Sequence, residues 1–169
     1  MDLISAIEES GFCQWVREAD SLFAFPGILL LHTIGMGLVV GINAMFDLRI
    51  LGFAPSVRLQ AFSRFFPVMW IGFWINALTG TILLAVNATK LTANPDFYVK
   101  LAFIALAVIN VLMLKKEVLA RSKDGMTNEI PLSMKAKVLA LTSMFFWLGA
   151  ITSGRLLAYV GQKVIFRTQ

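Results

Sequence analysis

The chain has 169 residues, of which 58% are hydrophobic and 15% charged, with a formal net charge of +5 and a mean hydropathy of +0.77. Soluble domains carry about 45–50% apolar and about 25% charged residues, so a soluble enzyme, a nucleic-acid-binding domain and a disordered chain are excluded as first readings. The basic residues lie between long uncharged runs, which is the pattern of a polytopic membrane protein.

Residues 2–19 alternate Leu3, Ile4, Ile7, Phe12, Trp15 and Val16 with Glu8, Glu9, Arg17 and Glu18. This spacing predicts an amphipathic helix lying in the membrane interface over residues 1–20. The acidic start, Met1-Asp2-Leu3-Ile4, does not read as a signal peptide. Four apolar spans follow, at about 21–46, 65–87, 97–114 and 138–160, with a short tail at 161–169. A helix needs roughly 20 apolar residues to cross a hydrocarbon core of ~30 Å, and these runs lack the polar–apolar alternation of barrel strands. The expected fold is therefore all-α: an integral membrane four-helix bundle preceded by an interfacial amphipathic helix.

Pro26 stands in the first turns of span one, where its missing N–H does little harm. Asn94-Pro95-Asp96 marks a tight reversal before span three. Arg49, Arg58 and Arg64 occupy the first loop, and Lys115, Lys116, Arg121, Lys123, Lys135 and Lys137 the third. These nine basic residues face five on the other side, Arg17, Lys90, Lys100, Lys163 and Arg167, so the positive-inside rule places loops one and three in the cytoplasm and both termini outside. The single cysteine, Cys13, forms no internal disulfide, and no Cys/His cluster offers a zinc site.

Polar side chains within a span are costly and turn inward. On a helical wheel, His32, Met36, Asn43 and Asp47 of span one fall within about 60° of each other. Met69, Gly72, Asn76 and Thr79 share a face of span two, with Trp70 and Trp74 pointing away. Asn110 shares a face with Phe103, Ala107 and Glu117, and in span four Met144, Thr152, Arg155 and Tyr159 align. Asp47 and Arg49 read as interfacial residues that pair with loops. His32, eleven residues past Ser21, sits at ~16 Å along its helix, near the midplane and level with Asn76 and Asn110.

His32 is the only histidine. It can be a hydrogen-bonding core residue, a proton-relay member or a ligand of haem b or copper, with Met36 one turn away as a second soft ligand. Met69, Met113 and Met144 add thioethers of the kind that suit Cu(I), although methionine is also common core filler. Asn76 and Asn110 read as interhelical hydrogen-bonding groups and as neighbours of any cofactor at His32. Arg155 would pair with Glu18 or Asp20, or anchor an anionic group such as a haem propionate. Gly37 and Gly41, with Ala44 alongside, form a small-residue face away from His32 that suits contact with a second copy or another membrane subunit.

The chain resembles a family of uncharacterised bacterial inner-membrane proteins of this length, a domain of unknown function. The resemblance spans nearly the whole chain. It rests on Val16-Arg17-Glu18 with Phe25-Pro26, His32-Thr33-Ile34-Gly35 and Asp47-Leu48-Arg49-Ile50-Leu51-Gly52. Further on it takes in Thr79-Gly80, Asn94-Pro95-Asp96-Phe97 with Lys100, Asn110, and Gly154-Arg155 through Tyr159. It implies a four-helix protein of the bacterial inner membrane and no established activity. A more remote likeness is to the membrane domains of copper-resistance proteins and to small b-type cytochromes. Those cytochromes use two axial histidines. Members of the uncharacterised family often carry a second one just after span three, where this chain reads Leu112-Met113-Leu114-Lys115-Lys116. Two histidines of one chain therefore cannot hold a haem here; a His/Met site, a five-coordinate haem or one shared between chains stays open.

Three functions compete on these residues. One is a cofactor-carrying electron-transfer subunit using His32 and Arg155. A second is a non-catalytic structural or assembly subunit of a membrane complex. The third is a small metal or solute transporter, disfavoured by the lack of an inverted repeat. No nucleophile–base pair suggests an enzyme acting on its own.

Overall fold

A computed structural model describes residues 3–53, 64–123 and 133–165, with side chains described over 4–53, 64–117 and 133–157. Seven helices are seen among the described residues: α1 (Leu3–Glu8), α2 (Gly11–Glu18), α3 (Phe25–Leu51), α4 (Phe66–Val86), α5 (Ala88–Thr92), α6 (Pro95–Lys123) and α7 (Met134–Ile165). Four of them, α3, α4, α6 and α7, are long and apolar enough to cross a membrane. The fold is all-α and the chain is a multi-pass membrane protein.

Local chemistry sets the helix ends. Pro26 and Pro67 stand in the first turns of α3 and α4, where a missing N–H costs no helical bond. Gly52 closes α3 at φ 106°, with its own amide bonded to Arg49 and that of Phe53 to Leu48. This left-handed cap is cheap only for glycine. The Asn94 side-chain oxygen accepts the Asp96 amide at 2.9 Å, so the expected reversal before α6 is an N-cap with proline at the first helical position. Ser133 does the same for α7, accepting the Lys135 amide at 3.2 Å.

The long helices form two hairpins. α3 packs along α4 and α6 along α7, and the hairpins meet mainly through α3 and α7. α4 and α6 scarcely touch. A small apolar cleft of about 20 Å³ lies among the four, lined by Val39, Met69, Phe73, Val108, Val111 and Trp147. Trp70 lines it too, whereas the wheel had set it outward with Trp74; only Trp74 is exposed.

The predicted N-terminal amphipathic helix is two helices. Ser10 is extended, at φ −61° and ψ 146°, at the N-cap position of α2 without a side-chain capping bond, and the poor helix former Gly11 follows it. Amphipathicity survives the break. Cys13 and Val16 are buried against Val86, Ile28 and Ile82, while Phe12 and Trp15 face outward. The segment is fastened by Glu8, whose carboxylate accepts the backbone N–H of Thr89 at 2.9 Å and its hydroxyl at the start of α5. Arg17 lies 3.6 Å from the same carboxylate.

The Thr89 hydroxyl and amide hold the Glu8 carboxyl below its ordinary value of 4.5. A depressed folded-state pKa gives stability that is present above the unfolded value and lost as pH falls through the folded one. Docking of α1 on α5, and with it the seating of α2 on α4, should therefore weaken on acidification below about pH 4.5. Hydrogen exchange of the α2 amides in detergent should rise over that range in the wild type and be flat in Glu8→Gln.

Candidate functional site

The candidate site grows from a close crossing of α3 and α4. Gly35 and Gly72 face each other there, both buried. A Cβ on Gly35 would stand 2.8 Å from the Asn76 amide nitrogen and 2.8 Å from the Gly72 carbonyl oxygen. A Cβ on Gly72 would meet the Leu38 Cβ at 2.7 Å. Only glycine lets the backbones approach so closely, which is how helices associate where lipid tails are as apolar as leucine.

This approach brings His32 onto α4. Its ring lies over Gly80, where an added Cβ would be 3.0 Å from Cε1. Nδ1 is 3.0 Å from the Asn76 carbonyl oxygen and 3.1 Å from the Thr79 hydroxyl. A carbonyl can only accept, so Nδ1 carries the hydrogen and donates. Thr79 donates its own hydrogen to the Ile75 carbonyl at 2.6 Å and so receives the second branch. In return the Asn76 side-chain amide donates to the His32 carbonyl at 2.8 Å. With the hydrogen on Nδ1, Nε2 carries the lone pair, and the same Asn76 amide stands 3.5 Å from it as a long donor.

The other predicted residues lie elsewhere. Asn110 faces α7, not His32, and donates to the Thr142 hydroxyl at 2.7 Å. Met36 is half-buried one turn along α3. Two residues four apart on one helix project from the same face, so His32 and Met36 cannot sit on opposite sides of one haem iron. Among the described residues no group of three His, Cys, Asp or Glu side chains could hold a metal ion.

Arg155 is exposed, and no described carboxylate bonds to it. In span four the predicted stripe turns outward past its start: Met144 is half-buried, Thr152 and Arg155 are exposed, and the Tyr159 side chain lies outside the described residues. The buried face of α7 is Ala136, Ala140, Ser143, Trp147, Ala150 and Ser153. Apart from Trp147, small size rather than polarity chose it, because small side chains admit a neighbouring helix closely. The same logic seats the Phe103 ring against Gly149, where a Cβ would find its edge at 2.6 Å. The cation whose charge acts on His32 is Lys100 of α6, half-buried, with its Cε 3.5 Å from where a Cβ on Gly154 would stand.

Sequence reasoning missed one polar cluster. Asp47, expected at the interface, is fully buried together with Asn43 and Ser143. Its signal was present in the four-residue spacing of Asn43 and Asp47, which puts both on one helix face.

No family model, curated protein or solved structure matches the chain. The geometry alone therefore carries the functional reading.

The crossing is directly testable. Gly35→Ala should destabilise the bundle by about 1–3 kcal/mol, the usual cost of overpacking, in reversible unfolding from mixed micelles. Gly37→Ala, whose added Cβ meets nothing within 4 Å, should be neutral or slightly stabilising.

Proposed function

We propose that the chain is a non-catalytic membrane subunit whose interior polar residues hold its own bundle and whose outer face of α3 docks a second copy or another membrane subunit. The observation that carries this reading is a division of glycines on α3. Gly35 is consumed in the contact with α4, while Gly37 and Gly41 are exposed, with nothing within 4 Å of an added Cβ. The half-buried Ala44 lies alongside. The polar groups support it from the other side. His32 bonds Asn76 and Thr79, Asn43 bonds Ser143 and Asn110 bonds Thr142. Every one of these joins two helices of the same chain. The bias of basic residues toward loops one and three supports termini on the outer side of a bacterial inner membrane.

Gly37→Leu and Gly41→Leu should abolish association in lipid nanodiscs, read by single-molecule subunit counting, and leave the unfolding midpoint within about 0.5 kcal/mol of wild type. Association that survives both substitutions removes this reading.

One observation favours a second reading, that of a cofactor-carrying electron-transfer subunit. The Nδ1 bond to a backbone carbonyl fixes the ring and tautomer of His32 and leaves Nε2 as the ligand atom, the arrangement that orients metal-binding histidines. Haem b or copper would be held by Nε2 with a further ligand from another chain, and Lys100, rather than Arg155, is the cation placed to face an anionic group. Protein purified natively with its partners should then show a reduced-minus-oxidised haem band or a copper signal that His32→Ala removes. A wild-type preparation without haem, copper or iron eliminates this reading and leaves the first.

A further inference from the structure

Among the described residues one carboxylic acid is buried inside the bundle, and it lies where the two hairpins meet. Asp47 of α3 is 0% exposed, Asn43 one turn before it 2%, and Ser143 of α7 0%. The Asn43 side-chain amide donates one hydrogen to Asp47 Oδ2 at 2.9 Å and the other to Ser143 Oγ at 2.6 Å. Asp47 Oδ1 has no hydrogen-bond partner.

The surroundings decide which form of the acid fits. Removing a carboxylate from water costs several kcal/mol even after the protein relaxes, and only a well-placed cation or several donors offset it. Next to Asp47 along the chain, Phe46 and Ile50 pack with Leu114 of α6 and Ala136 and Ala140 of α7 in one apolar cluster, against which Phe66 of α4 is laid. At this end of the bundle the described charged groups of these elements are few. On α3, Arg49 is half-buried two residues on, a spacing that turns it to another side of the helix. On α6, Lys115 lies over the Phe66 ring at 5.4 Å, Lys116 is exposed and Glu117 half-buried. On α7, Lys135 and Lys137 are exposed, as is Arg64 before α4. None of the described cations forms an ion pair with Asp47.

We propose that Asp47, framed by Asn43 and Ser143, is an intramembrane proton-binding site that locks α3 to α7. In the locked form the carboxyl is neutral, one amide hydrogen of Asn43 bonds it, and the other reaches Ser143 on the facing helix. Release breaks the O–H bond of the carboxyl, leaves the electron pair on Asp47 and passes the proton to water as hydronium. Asp47 lies five residues before Gly52, which caps α3, or ~7.5 Å along the helix axis from that end, so exchange occurs with the membrane face at the end of α3. Among the described residues no cation is paired with the anion left behind, and the joint loosens.

The test is infrared difference spectroscopy on the full chain in nanodiscs. At pH 7 the wild-type minus Asp47→Asn spectrum should contain a protonated-carboxyl C=O band that shifts in D₂O, and Glu8→Gln should retain that band. Asparagine mimics the neutral acid in shape, so Asp47→Asn should also keep wild-type stability at pH 7 and lose the weakening that the wild type shows as pH rises. If Asp47→Asn does not fold, Ser143→Ala provides the second arm: removing the neighbouring hydroxyl should move the frequency of one protonated-carboxyl band. A carboxylate band in place of the carboxyl band in the first spectrum, or carboxyl bands unmoved in the second, overturns the proposal.

Discussion

Gly35 and Gly72 bring the backbones of α3 and α4 within reach of each other's polar groups, and the rest of the interior depends on that approach. At ordinary helix separation the His32 ring could not meet the Asn76 carbonyl and the Thr79 hydroxyl together. The return bond from the Asn76 side chain to the His32 carbonyl would be lost as well. Apolar burial drives little association inside lipid, so close packing and hydrogen bonds must hold the helices, at about 0.6 kcal/mol for an average side-chain bond. Two glycines make such bonds possible in both directions at one crossing.

The same economy of size recurs at the other contacts. Phe103 fits over Gly149, and Ala136, Ala140, Ser143 and Ala150 give α7 a narrow buried face. The polar bonds then fix register. Asn43 to Ser143 ties the hairpins together, and Asn110 to Thr142 ties α6 to α7. The polar centre is thus a set of separate clamps at successive contacts. This is why Asn110, level with His32 along its helix, does not join Asn76 beside it: it is drawn to Thr142 of the neighbouring α7.

The fold was legible because insertion is governed by one-dimensional facts. Uncharged run length, proline and glycine at helix ends, and the period of the apolar residues all act locally, and together they specified four spans and the amphipathic N-terminal segment. The candidate site was legible in part. A lone histidine and an asparagine at matching depth are readable from spacing, and His32 does meet Asn76. The face of span four was not, because a wheel ranks residues by polarity while α7 packed by size.

What the sequence by itself determined is the number and nature of the helices, since hydrocarbon forces each span to satisfy its own backbone. It also set the inward turn of His32, Asn76, Thr79 and Asn110. What only the tertiary structure decided is which of these meet. Helix pairing set α4 against α3 and α7 against both α3 and α6, and that choice joined His32 to Asn76, sent Asn110 to Thr142 and buried Asp47 beside Ser143. Partners a hundred residues apart, such as Asn43 and Ser143, are related by no local spacing. Their meeting depends on which helices leave room for one another, and that is a property of packed volume in three dimensions.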